Sequence, residues 1–141
     1  MTNAQRTDSA ALVLRLALGG VLLAHGLLKI FVFTLPGAAG FFESVGFPGW
    51  TAYVVAPLEA IAGAAMLVGY RSALFALATL PVQIGAGLVH LPNGWLFSNA
   101  NGGWEFSAVL VLLSVAVWLL GDGAYSVRRT RVEGQPQLAR A

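Results

Sequence analysis

Four apolar segments, each about as long as a bilayer is thick, constrain the fold of this chain more than any other feature. They cover residues 10–33, 51–70, 72–91 and 104–121. A helix needs about 20 mostly apolar residues to cross the hydrocarbon core of a membrane. Only 10% of the 141 residues are charged and 57% are hydrophobic, whereas about 25% of the residues of a soluble domain are charged. We therefore predict an all-α integral membrane protein, a transmembrane antiparallel four-helix bundle.

The remaining residues form two polar tails and the connections between the segments. Residues 1–9 are polar, and residues 124–141 carry four of the eight basic side chains. The first apolar segment is longer than the roughly 7–15 apolar residues of a cleaved signal peptide, which indicates a retained span. The sequence thus predicts one transmembrane domain over residues 10–123, between an N-terminal tail and a basic C-terminal tail.

Basic residues near the ends of the segments predict the orientation. They occur before or at the start of the first segment, in the short turn between the second and third, and after the last: Arg6, Arg15, Arg71, Arg128, Arg129 and Arg131. The connections 34–50 and 92–103 contain no Lys or Arg. Because cytoplasmic loops are enriched in Lys and Arg, we expect both termini in the cytoplasm and a multi-pass protein of the inner (cytoplasmic) membrane. The basic tail is thereby explained without a nucleic-acid partner.

Five ionisable side chains lie inside these segments or at their edges: His25, Lys29, Glu59, His90 and Glu105. A charge at the centre of a spanning helix costs roughly 3 kcal/mol even on lenient scales. The predicted topology places all five in the outer half of the membrane. At about 100° per residue, Lys29 is displaced by roughly 40° from both Arg15 and His25, so we expect this stripe to point into the bundle. Arg15 has a structural or interfacial role in this interpretation, because its side chain can reach the headgroups.

A functional interpretation makes these residues a polar pocket for a quinone or a similar small amphipathic molecule. Quinone oxygens need hydrogen-bond donors, and the reduced form needs proton acceptors; His and Glu side chains can serve as both. Lys29 would hold negative charge on the ligand or keep Glu59 ionised. The predicted catalytic residues are His25, Glu59, His90 and Glu105. The predicted ligand-binding residues are Lys29, Trp95, Trp104 and Phe106, with the aromatic side chains at the entrance.

A structural interpretation explains the same residues without a ligand. Lys29 would pair with Glu59, Glu105 would bind His90 or the loop backbone, and His25 would donate to a carbonyl. Trp residues at this depth commonly anchor a protein at the interface. The chain would then be a non-enzymatic membrane scaffold or assembly factor.

Several other classes of site are disfavoured by the sequence. The chain has no cysteine, which excludes disulfides, thiol relays, thiolate metal sites and covalent haem, so a redox role must borrow its electron carrier. Carboxylate di-iron bundles carry a Glu-x-x-His pair on each of two helices, and no such pair occurs here, so no metal is expected. The spans lack the rings of polar residues that line a channel. Small residues on the helix faces permit a homo-oligomer but do not require one.

The order of several short motifs resembles the DoxX/DoxD family of small four-helix membrane proteins. The motifs are Arg15, His25-Gly26, Lys29, Glu59-x-x-x-Gly63 and Trp104-Glu105-Phe106, and the resemblance covers roughly residues 10–125. Members are associated with quinone-linked oxidation of sulfur compounds, in thiosulfate:quinone oxidoreductase or terminal quinol oxidase systems, and with membrane complexes against oxidative stress. The resemblance implies a quinone as a non-covalent ligand, a redox partner protein and a lipid bilayer as surroundings. It leaves open whether the chain itself is an oxidoreductase.

Overall fold

The computed structural model describes residues 1–127, and over that range the chain forms five α-helices. They are α1 (Asn3–Leu27), α2 (Leu35–Ser44), α3 (Ala52–Val68), α4 (Ser72–His90) and α5 (Glu105–Leu120). The predicted all-α four-helix bundle is confirmed, with α1, α3, α4 and α5 as its members. Within the described range, three helical stretches are long and apolar enough to cross a membrane: Asn3–Val32, Gly49–Val68 and Ser72–Asn93. α5 is apolar and 16 residues long. Arg128, Arg129 and Arg131, which support the predicted orientation, lie outside the described residues.

The first helix begins earlier than predicted, inside the polar N-terminal segment. The Thr2 side chain accepts a hydrogen bond from the Gln5 amide at 3.2 Å, and the Gln5 side chain accepts one from the Thr2 amide at 2.8 Å. This reciprocal capping box satisfies amides that a helix start otherwise leaves unpaired. Residues 3–9, which belong to the predicted N-terminal tail, are therefore helical. At its other end, α1 continues into a π-helical turn over Leu28–Val32.

The bundle consists of two closely packed helix pairs, α1 with α3 and α4 with α5. Glycines set the spacing of the first pair. A Cβ atom on Gly26 would lie 2.5 Å from the Ala60 nitrogen, and one on Gly63 would lie 2.3 Å from the Leu23 nitrogen. Small residues are thus a condition of this close backbone approach. The buried apolar cluster between the two pairs comprises Leu18, Leu22, Met66, Ala76, Leu110 and Val117.

The two ends of the bundle differ in how the chain crosses them. α3 and α4 are joined by residues 69–71 alone, where Gly69 takes a left-handed conformation with φ of 74°. This is the usual way in which a glycine ends a helix. We call this the terminal end, because α1 starts there and α5 finishes there. The opposite end, which we call the loop end, carries α2 and the connection 91–104.

A buried arginine holds the terminal end together. Arg15 is 1% exposed, and its guanidinium donates to the carbonyls of Met66 at 2.9 Å and Leu67 at 3.0 Å, and to the carbonyl of Tyr125. The first two carbonyls belong to the last turn of α3, where carbonyls lack the regular bonds of the helix interior, and that of Met66 also accepts from the Gly69 amide at 3.1 Å. Arg15 therefore has the structural role, and burial replaces the expected path to the headgroups.

Two aspartates add to this fastening of the segment after α5. Asp122 is buried, and its Oδ1 accepts a hydrogen bond from the Ser72 amide at 2.6 Å, which caps the start of α4. Asp8 Oδ1 accepts one from the Ala124 amide at 3.0 Å. Residues 122–127 are thus attached to α1 and to the α3–α4 turn instead of leaving the bundle directly.

The connection between the first two spans contains a helix that the sequence did not predict. Residues 34–50 were expected only as a connection between two spans, but α2 occupies ten of these residues. The Thr34 hydroxyl accepts from the Gly37 amide, and Pro36 sits in the first turn, where a missing N–H is tolerated. Beyond α2, the ring of Phe47 reaches α4, 3.5 Å from where a Cβ on Gly85 would lie.

The α1–α3 contact can be tested with two alanine substitutions in the same helix. Gly26→Ala should lower the stability by about 1–3 kcal/mol, because the new methyl group meets the α3 backbone. Gly20→Ala is the control, since a Cβ there meets nothing within 4 Å and alanine favours a helix. Thermal unfolding in one detergent measures both. Equal melting temperatures for the two variants would contradict the close packing.

Candidate functional site

The central feature of the candidate site is an ion pair between α1 and α3. Lys29 Nζ lies 2.6 Å from Glu59 Oε2, and the two side chains are only 17% and 7% exposed. Lys29 belongs to the π-helical turn Leu28–Val32. Single π-turns occur frequently at functional sites. The pair thus places opposite charges inside a bundle whose surroundings are apolar, where each needs the other.

The hydrogen-bonding capacity of this pair is only partly used. A lysine ammonium has three N–H donors, and a carboxylate oxygen can accept more than one bond. Within residues 1–127, Glu59 Oε2 is the one hydrogen-bond partner of Lys29 Nζ, and Glu59 Oε1 has none. Glu59 Oε1 is also not fully enclosed. The pair therefore retains donors and an acceptor that a polar ligand group could use.

His25 lies one turn before Lys29 but is exposed rather than buried. Its Nδ1 is 2.8 Å from the Val21 carbonyl, one turn back along α1, and so carries the proton. The neutral ring then presents Nε2 as an acceptor. Ten residues separate His25 from Arg15, which rotates the two side chains about 80° apart on a helix. That rotation explains why Arg15 enters the core while His25 faces the seam between α1 and α5, 6.0 Å from the ring of Phe106.

His90 and Glu105 fasten the connection between α4 and α5. His90 Nδ1 lies 3.0 Å from the Asn101 carbonyl, and Asn93 donates to the same carbonyl and to that of Gly102. Glu105 Oε1 accepts from the Phe97 amide at 2.7 Å. Glu105 thus contacts the loop backbone, one of the two contacts that the structural interpretation offered for it, and His90 contacts the loop backbone as well. Neither bonds to the Lys29–Glu59 pair.

The predicted entrance aromatics form two contacts at the loop end. Trp95 and Trp104 pack edge to face with ring centres 4.4 Å apart. Phe106 packs between His25 and Phe97, at centroid distances of 6.0 and 6.2 Å. The second contact connects α5 to His25, and the first connects the start of α5 to the loop before it.

A groove of about 410 Å³ lies elsewhere, between α4 and α5. Trp104 is the one predicted site residue among those that line it, and none of the five ionisable residues does. Apolar side chains make up most of its walls, including Ile84, Leu88, Leu91 and Leu112. The five residues lie between mid-bundle and the loop end, and this groove is separate from them.

A buried polar chain in the same helix pair was missed by the sequence interpretation. Ser114 donates to Gln83 Oε1 at 2.8 Å, and Gln83 Nε2 donates to the Thr79 hydroxyl at 3.3 Å. All three are at most 3% exposed. The signal was present in the sequence, since Thr79 and Gln83 are four residues apart and share a helix face. Among residues 1–127, no three His, Asp or Glu side chains are grouped closely enough to hold a metal ion.

Comparison with known proteins assigns the family. The DoxX family model matches residues 10–92, from α1 to the end of α4. The chain belongs to the DoxX family. A relative named "Putative oxidoreductase CatD", from Bacillus subtilis (strain 168), is 31% identical over 115 residues, which are 82% of this DoxX chain and 81% of the relative. No solved structure matches the present chain significantly. Lys29 and Glu59 lie inside the segment that the DoxX model matches, and Glu105 lies outside it.

The Lys29–Glu59 pair predicts a non-additive pattern of stabilities. Glu59→Gln should lower the stability by about 3–5 kcal/mol, because it leaves the ammonium buried without its counter-charge. The double variant Lys29→Met, Glu59→Leu should unfold close to the wild-type temperature, since similar apolar side chains need no partner. Thermal unfolding of the single and double variants in detergent measures the coupling. A double variant as unstable as the sum of the two singles would contradict it.

Proposed function

We propose that this DoxX protein is a membrane subunit of a quinone-linked redox system and binds a quinone or a similar small amphipathic molecule at the Lys29–Glu59 pair. The observation that carries the proposal is the unused hydrogen-bonding capacity of this pair. Family membership and the name of the Bacillus relative support an association with oxidoreductases.

The donor set fits the chemistry of a quinone head group. A bound quinone would supply electron and proton transfer at its two oxygens. Lys29 would donate to one oxygen and hold negative charge there, and Glu59 Oε1 would accept or return a proton. His25 Nε2, one turn away and exposed to the surroundings, would exchange that proton with the solvent side.

The rest of the predicted site takes supporting roles in this proposal. His90 and Glu105 position the connection 91–104 through its backbone. Phe106 keeps His25 in place through their ring contact. Electrons would pass between the bound quinone and a separate redox protein, which we place at the loop end, close to the site.

A scaffold or assembly factor is the second candidate, and specific contacts favour it. Lys29 pairs with Glu59, Glu105 binds the loop backbone, and His25 binds the Val21 carbonyl. These are the contacts that a purely structural role requires. The two candidates differ in whether the spare donors and acceptor are ever occupied.

A binding experiment separates the two functions. We expect a short-chain benzoquinone or naphthoquinone to raise the melting temperature of the purified protein saturably. His25→Ala should weaken this rise without changing the melting temperature of the free protein, because His25 is exposed. The folded double variant Lys29→Met, Glu59→Leu should lose it. If neither quinone binds saturably and Glu59→Gln only lowers stability, the scaffold function is favoured.

The orientation is a further part of the proposal, with both termini in the cytoplasm and the loop end outside the inner membrane. The chain has no cysteine, so single introduced cysteines report their side without background. Ser98→Cys, in the exposed connection at the loop end, should react with a membrane-impermeant maleimide in intact spheroplasts. Asn3→Cys, at the start of α1, should react only in inverted vesicles. The reverse labelling pattern would contradict the orientation.

A further inference from the structure

The groove between α4 and α5 has the shape of a ligand site. Its volume of about 410 Å³ falls in the range of roughly 300–1,000 Å³ that small-molecule pockets occupy. Gly87 of α4 and Ser107 of α5 both line it and lie close together, since a Cβ added to Gly87 would lie 3.4 Å from Ser107 Cβ. The apolar walls Ile84, Leu88 and Leu112 are exposed at the bundle surface. The groove therefore opens toward the hydrocarbon of the bilayer.

Two hydrogen-bond donors in the groove lack partners among residues 1–127. Ser107 is only 7% exposed, and its hydroxyl bonds to no other group among residues 1–127. The indole N–H of Trp104 also has no partner in that range. By contrast, Ser114 and Thr79, in the same helix pair, are both hydrogen-bonded. A hydrogen-bond donor without a partner costs free energy in an apolar environment. A ligand that supplies an acceptor at this position therefore binds more favourably.

The two donors lie at the loop end of the groove, and its apolar part runs toward mid-bundle. From Trp104 to Leu112 the groove extends about 12 Å along α5 at 1.5 Å per residue. One leaflet contributes about 15 Å of hydrocarbon. Trp104 directly precedes α5, at the depth where Trp side chains commonly meet the interface. Ester carbonyls of glycerolipids lie at this same depth, above their acyl chains.

We infer that this groove is a binding site for one glycerolipid of the leaflet at the loop end. An acyl chain fills the apolar groove, and its ester carbonyl accepts hydrogen bonds from Trp104 and Ser107. No Lys, Arg or His lines the groove, so the site recognises the ester and the chain and is indifferent to the headgroup. The inference is independent of the proposed function, because the groove and the Lys29–Glu59 pair share no residue.

Native mass spectrometry of the purified full chain tests this inference with defined lipids. A diacyl phosphatidylethanolamine and a diacyl phosphatidylglycerol should each give a one-lipid complex of similar affinity. The ether-linked analogue, which lacks the carbonyl, should bind about tenfold more weakly, the effect of losing one or two neutral hydrogen bonds. Ser107→Ala should weaken the diacyl lipid several-fold and leave the ether lipid unchanged.

A pair of matched variants tests the location. Ala108→Phe, on the groove wall, should abolish the one-lipid complex by filling the space. Ala86→Phe, exposed on α4 outside the groove, should retain it. Equal lipid retention by both phenylalanine variants, or equal affinity for ester and ether lipids in the wild type, would overturn the inference. Displacement of the diacyl lipid by an equimolar isoprenoid quinone would also overturn it, by assigning the groove to a different occupant.

Discussion

The structure depends on one constraint, that a polar group inside a bilayer must find its partner within the protein. Arg15 meets it through its two terminal nitrogens, which bind carbonyls at the end of α3 and the carbonyl of Tyr125, while its Nε has no partner among residues 1–127. Gln83 meets it through Ser114 and Thr79. The bonds of Arg15 and the Gln83–Ser114 bond join different segments, whereas the Gln83–Thr79 bond lies within α4. Groups that are expensive to bury therefore also hold neighbouring helices together. The glycines of α1 and α3 then allow the close contact that such short side-chain bonds need.

The same constraint separates structural polar residues from candidate functional ones. A side chain whose capacity is fully used inside the bundle has little left to offer a ligand. Lys29 and Glu59 satisfy one another but keep spare donors and an acceptor, and His25 keeps its Nε2. Ser107 and Trp104 keep unpaired hydrogen-bond donors in the groove between α4 and α5. Spare capacity at atoms that are not fully enclosed distinguishes the two proposed sites from the residues that fasten the bundle, because the unpaired Arg15 Nε and Ser72 Oγ are completely buried.

The two ends of the bundle are built for different purposes. At the terminal end, Arg15, Asp8 and Asp122 attach the segment after α5 to the rest of the helices. At the loop end, side chains such as His90 and Glu105 bond to the backbone of the connection 91–104. Large aromatic side chains remain exposed at this end, among them Trp50 and Phe97. The proposed ligand sites both lie toward this second end, where the covering segments are short and local.

The sequence by itself determined the fold class and the number of bundle helices, and one of its two interpretations included the Lys29–Glu59 pair. Apolar length and intramembrane charge are properties of single segments, and a buried cation has few partners of opposite sign available in such a chain. Only the tertiary structure decided that His25 is exposed, that His90 and Glu105 serve the loop, and that Arg15 is buried. These outcomes depend on helix rotation and on contacts between distant segments, where a difference of about 80° around α1 separates a core side chain from a surface one. The helix α2 and the groove beside Gly87 also became apparent only in the tertiary structure. The helix depends on capping by Thr34, and the groove depends on the space between α4 and α5.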